Sequence, residues 1–191
     1  LSADPSAFNL QAVFNGSDGR SPLYYAAGRG HVGVVQLLLE RYPLMVGVAN
    51  KHGTTALSWA CFNGQEDVVR CLLARGAKAG VNEPSKAGDR PLTSACARGH
   101  LEIAELLLEE GADPSFSDHD GCSPLYRACL SSPKSQDSRH ALVKTLLARL
   151  KARKGGLQST IVDKATLEWA SAACKGVDEA VAAVATLCLA A

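Results

Sequence analysis

Cysteine, histidine and carboxylate side chains are the groups with which this chain would do chemistry, and their spacing speaks against it. Seven cysteines, an odd number, lie far apart with no C-x-x-C pair. That pattern fits neither a secreted disulfide framework nor a clustered zinc site. Cys61, Cys96 and Cys129 each follow a small alanine, Ala60, Ala95 and Ala128, where an earlier stretch has Ala27 after Ala26. A thiol standing in for alanine behaves as a small buried hydrophobe, so these three read as core packing, and Cys71, among apolar helix positions, reads the same way. His31 and His100 share a place with Gln65, which points to hydrogen bonding in a turn rather than to a metal or a catalytic base. His119 and Cys122 offer at most two zinc ligands, and no partner cluster completes them. No Gly-rich phosphate loop, nucleophile elbow or paired-carboxylate motif is present. No catalytic residue, cofactor, metal or small-molecule substrate is therefore expected of this chain.

Composition narrows the class further. With 191 residues, 47% hydrophobic and 20% charged, the chain can bury roughly two-thirds of its unfolded surface. A net charge of +1 gives no footprint for phosphate neutralisation, so nucleic acid is not the expected partner. A nucleic-acid reading would rest on one short basic run, Lys144, Arg149, Lys151, Arg153 and Lys154, of which Lys151, Arg153 and Lys154 suit the negative end of a helix. No apolar run approaches the roughly 18 to 20 residues that span a bilayer, and the first residues do not read as a signal peptide. The expectation is a soluble chain without membrane contact, in a reducing compartment, the cytoplasm or the nucleus.

The elements that carry these residues recur. Leu23, Leu57, Leu92 and Leu125 follow one another at 34, 35 and 33 residues, a spacing that marks internal repeats. Each is followed by Ala26, Ala60, Ala95 or Ala128, and preceded by Gly19, Gly53, Gly88 or Gly121. Ser or Thr before Pro or Ala starts a helix, and Gly30, Gly64 and Gly99 end it. A second periodic segment follows, with Leu38, Leu72, Leu107 and Leu146 as an apolar stripe that neighbouring units must cover. Each unit thus reads as short helix, tight turn, longer helix.

These motifs resemble the ankyrin-repeat family. The likeness is carried by Ser21-Pro22-Leu23-Tyr24-Tyr25-Ala26-Ala27 with Gly30-His31, by Arg90-Pro91-Leu92-Thr93-Ser94-Ala95-Cys96 with Gly99-His100, and by Gly111-Ala112-Asp113-Pro114. Where the family places a histidine at the helix start, this chain has Tyr24, Ser58, Thr93 and Tyr126. The resemblance implies an all-α solenoid of stacked helix-turn-helix units with β-turn-like finger loops. The units fall at 18–51, 52–86, 87–119 and 120–156. Residues 1–17 read as the tail of a preceding or capping repeat, and 157–191 as a degenerate fifth repeat or cap. The wording of the first residues suggests a fragment of a longer protein. The fourth unit is six residues longer between Leu125 and Leu146 than the others, and 131–138 reads as an exposed inserted loop. Within it Ser132-Pro133-Lys134 is a candidate phosphorylation site, although such tripeptides are common by chance.

What the resemblance implies about function is protein recognition on a concave face made by fingers and first helices. The residues it places there are Tyr25, Arg29, Lys51, His52, Trp59, Phe62, Asn63, Asp89, Arg98, His119 and Arg127, rich in the aromatic and arginine types that dominate binding hot spots. Trp59 and Phe62 admit a second reading, packing between adjacent first helices. The expected function is a scaffold or adaptor module that binds a protein partner. The rival is a regulatory or substrate-recruiting segment of a larger enzyme, such as a ubiquitin ligase or kinase.

Overall fold

A serine or threonine hydroxyl ahead of a proline or alanine can satisfy an orphan amide in a helix's first turn while the next residue is already helical. The computed structural model, which describes residues 18–131 and 136–152, uses this device in three of four units. The Ser21 hydroxyl accepts from the Tyr24 amide at 3.1 Å, Thr55 from Ser58 at 3.2 Å and Ser123 from Tyr126 at 3.2 Å. These caps open α1 (Pro22–Gly28), α3 (Ala56–Asn63) and α7 (Pro124–Leu130). In the remaining unit Arg90 precedes α5 (Pro91–Arg98) and makes no side-chain cap. Gly64 and Gly99 close α3 and α5 at φ of 73° and 70°, where an L side chain would be strained.

A second helix follows each: α2 (Val32–Arg41), α4 (Glu66–Ala74), α6 (Leu101–Glu109) and α8 (Gln136–Ala152). The first helices pack side by side as one layer and the second helices as another. The described residues are thus a two-layer helical stack, with no strand beyond a single bridge between Ala49 and Thr55 in one finger. Each of the four expected units holds one helix pair.

Leu23, Leu57, Leu92 and Leu125 are all buried, with the alanines Ala26, Ala60, Ala95 and Ala128 letting the second helices approach. Leu72, Leu107 and Leu146 of the expected stripe are fully buried, and Leu38 is half-buried against the same core. Cys61 and Cys96 lie wholly within it, where burial pushes both thiols far above their ordinary range. Cys129 and Cys71 pack at its margin.

The expected loop over 131–138 needs correction. Ser131 is buried and caps the end of α7 through a 2.7 Å bond from its hydroxyl to the Ala128 carbonyl. Helix α8 already begins at Gln136 and runs 17 residues, against 9 for α6. Part of the insertion therefore lengthens a helix, because the buried set Leu142, Val143, Leu146 and Leu150 anchors it and polar residues extend it backwards. Ser132-Pro133-Lys134, the run beyond Ala152, and the expected terminal units at 1–17 and 157–191 lie outside the described residues.

Candidate partner-binding surface

Rings that cannot be covered by a single short helix can be covered by each other across a repeat boundary. Tyr24 of α1 stacks on Trp59 of α3, centroids 5.2 Å apart and planes 10° from parallel, and Trp59 stacks on Phe62 at 5.4 Å and 7°. Guanidinium groups close both ends: Arg20 lies 5.7 Å over the Tyr24 ring and Arg98 of α5 lies 4.2 Å over Phe62. The result is one ladder, cation to ring to ring to ring to cation, running over three units. Each ring pair is worth about 0.5–1.5 kcal/mol beyond burial, and each cation contact about 0.5–1 kcal/mol at an exposed site. Tyr25 stands edge-on to Tyr24 at 5.9 Å and 85°, 48% exposed.

Of the two readings of Trp59 and Phe62, the structure shows features of both. Their faces pack across first helices, yet both side chains keep part of their surface in solvent. Asn63 fixes the end of α3 by donating to the Trp59 carbonyl at 2.7 Å. Arg29 and Arg98 are exposed at the ends of α1 and α5. Beyond Arg98 opens a groove of about 860 Å³, lined among others by Phe62, Asn63, Leu130 and Ser138.

Successive fingers are joined by main-chain hydrogen bonds, and the last two also through the Arg90 side chain. The Lys51 amide donates to the Asp18 carbonyl at 2.9 Å, Lys86 to His52 at 2.9 Å and His119 to Ala87 at 3.1 Å. The Lys51, His52 and His119 side chains remain exposed. Asp89 is half-buried; burial raises its carboxyl above the ordinary value, Arg127 opposes this, and Asp118 and Asp120 add to it. Arg127, expected to face a partner, is committed to the fold instead. Its guanidinium donates from Nε at 3.0 Å and from Nη2 to the Asp118 carboxylate, whose side chain is 1% exposed. Asp118 in turn accepts from the Asp120 and Cys122 amides. A buried carboxylate so held needs its cation.

Turn residues act as expected of hydrogen bonders, but between units. Gln65 Nε2 reaches the Gly28 carbonyl at 3.4 Å and His100 Nε2 the Phe62 carbonyl at 3.3 Å. His31, in the same place, is exposed. Two anchors of the fingers were not singled out from the sequence. Asp118 carries no signal beyond its place in a finger. Arg90 looks like a lost cap, yet its guanidinium stacks 4.4 Å over Phe116 and donates to the carbonyls of Asn82, Gly88 and Ser117. Among the described residues no group of three or more His, Cys, Asp or Glu side chains could hold a metal ion, and no helix is long and apolar enough to cross a membrane.

Comparison with known proteins agrees with this geometry. A family model described as ankyrin repeats matches residues 3–83 and 76–156. Ankyrin repeat and SAM domain-containing protein 6 of Mus musculus is 43% identical over 74 residues, 39% of this chain and 8% of that protein. Probable E3 ubiquitin-protein ligase XBOS33 of Oryza sativa subsp. japonica is 49% identical over 53 residues, 28% of this chain and 10% of that protein. BCL-6 corepressor-like protein 1 of Mus musculus is 34% identical over 128 residues, 67% of this chain and 7% of that protein. The chain thus spans a tenth or less of the length of these curated relatives.

Proposed function

Because the chain belongs to the ankyrin-repeat family, whose helical units are protein-interaction modules, we propose that it serves as a scaffold or adaptor in the cytoplasm or nucleus, binding a protein partner on the face made by its first helices and fingers. The observation that carries this reading is the Arg20 to Arg98 ladder. It lines up aromatic and arginine side chains over three units, the buried Tyr24 backing the partly exposed Trp59 and Phe62, and such exposed residues concentrate binding energy when a partner excludes water from them. The second helices present Glu40, Glu66 and Glu105, engaged with Arg75, Arg70 and Thr145, with Glu110 just beyond α6 paired to Lys78, and do not offer such a strip.

A photo-crosslinking side chain at Tyr25, on the front, and at Glu105, on the back, tests the reading in cell extract. Adducts with one defined protein from the front position alone, lost when Trp59→Ala and Phe62→Ala are introduced together, are the expected result. Adducts with that protein from the back position would move the interface to the second helices. A second reading, a substrate-recruiting segment of a larger enzyme, draws on the ubiquitin-ligase relative and uses the same face. It is separated from the first by ubiquitin transfer to the cross-linked partner in the presence of the full-length protein.

A further inference from the structure

Arg29, Asn63 and Arg98 stand at one place in three successive units, six residues after Leu23, Leu57 and Leu92. Packed helices lie about 8–10 Å apart, so the two arginines are separated by on the order of 20 Å along the front. Helices α1, α3, α5 and α7 contain no Asp or Glu. Neither arginine pairs with a carboxylate among the described residues, and the same holds for the exposed fingertip lysines Lys51 and Lys86. The acids that share this front are engaged or set aside. Asp18 is held by Arg20 at 3.2 Å, Asp89 is half-buried, and Asp118 and Asp120 gather around Arg127 at the fourth finger. Glu102 stands on the outer-helix rim of the groove beyond Arg98, and Glu66, on the same rim, is paired with Arg70.

We propose that this row binds an extended acidic peptide segment of the partner, with two carboxylates about six residues apart on Arg29 and Arg98 and an apolar side chain beside the second, in the groove at Leu130. The proposal rests on the reading of the front as the partner surface. Six extended residues span about 20 Å, which matches the two-unit separation. The Arg98 guanidinium carbon lies 4.2 Å over the Phe62 ring and pairs with no carboxylate among the described residues, so its donors are open to a carboxylate of the peptide. Leu130 is 45% exposed on the groove wall, and its apolar surface gains by being covered. Glu102 on one rim and the exposed Asp120 at the fourth finger disfavour carboxylates there, which favours their placement on the arginine row. Nucleic acid fits the row poorly, since its binding draws on many clustered basic side chains and the row offers two arginines on the order of 20 Å apart.

Selection of a random phage-displayed dodecapeptide library on the whole chain tests this. Enriched peptides are expected to carry paired Asp or Glu residues about six apart with an apolar neighbour to one of them. Measured by fluorescence polarisation, their affinity should fall about tenfold or more in Arg29→Glu and in Arg98→Glu, each with unchanged circular dichroism, and should be largely kept in Arg98→Lys. Neutral or basic enriched peptides that are lost with Trp59→Ala and Phe62→Ala would overturn the acidic-segment proposal and leave the front as the partner surface. Peptides indifferent both to those changes and to the arginine reversals would overturn the two readings together. A labelled single-stranded oligonucleotide bound at physiological salt as tightly as the enriched peptides would overturn the assignment to a peptide.

Discussion

The indole of Trp59 occupies the space that a side chain on Gly28 would fill: a Cβ built there would come within 2.1 Å of Trp59 Nε1. The absence of one carbon in α1 is what lets the ring of α3 lie flat between Tyr24 and Phe62. Gly28→Ala should gain up to about 1 kcal/mol of helix propensity but expel the indole and lose two stacked pairs, each worth about 0.5–1.5 kcal/mol. The expected balance is a small net destabilisation with red-shifted Trp59 emission, read in a Trp169→Phe background. Unchanged emission would mean the ring does not depend on Gly28.

Asp89 makes stability depend on pH in the direction opposite to most carboxylates. Burial, the largest cause, raises its folded-state value above the ordinary 3.8, with Arg127 pulling the other way. Below the ordinary value both folded and unfolded states are protonated and nothing is lost. As pH rises through the raised value, the folded state must ionise a group it disfavours, and stability falls. Asp89→Asn should therefore melt at higher temperature than the parent at neutral pH, and the two curves should converge as pH drops below the ordinary carboxylate range. A difference independent of pH would show that the charge is not its source.

Thr93, at the place where the family has histidine, is buried with a hydroxyl oxygen that has no hydrogen-bond partner among the described residues. An isosteric apolar side chain removes the desolvated group without opening a cavity. Thr93→Val should stabilise by about 1 kcal/mol, seen as a higher urea midpoint at unchanged slope. A lower midpoint would reveal a partner for the hydroxyl.

Leu107 is fully buried between α6 and its neighbours, so Leu107→Asp places an unpaired charge where neighbouring units meet. The expected loss is several kcal/mol, with the units on either side uncoupled into separate unfolding steps. One cooperative transition near the parent's melting temperature would contradict the packing described for α6.

The stack was legible because Leu23, Leu57, Leu92 and Leu125 each meet the same environment, and a shared environment leaves a shared letter. The ladder was not legible, because its rings sit one, two and five places after their leucines at Tyr24, Trp59 and Phe62. Helical spacing makes Trp59 and Phe62 neighbours, but no repeat register brings Tyr24 onto Trp59; that contact depends on rotamers and on the bare α-carbon of Gly28. The role of Arg90 was not legible for a related reason. The rule for helix starts looks only along the chain, while its side chain spends its donors on carbonyls of the fingers on either side. The Ser-rich insertion read as loop by composition, but composition does not register that Leu142 and Leu146 hold a helix which polar residues can prolong.

The fingertips are tied by amide-to-carbonyl bonds from Lys51, Lys86 and His119, and no side chain takes part in them. At these three contacts the spacing of the fingers is set by atoms that every residue except proline supplies, and the Arg90 side chain adds its own bond between the last two fingers. Those three letters can be rewritten singly or together without altering the spacing of the scaffold. If the fingers meet the partner as proposed, point substitution at these exposed positions changes specificity at almost no penalty in folding.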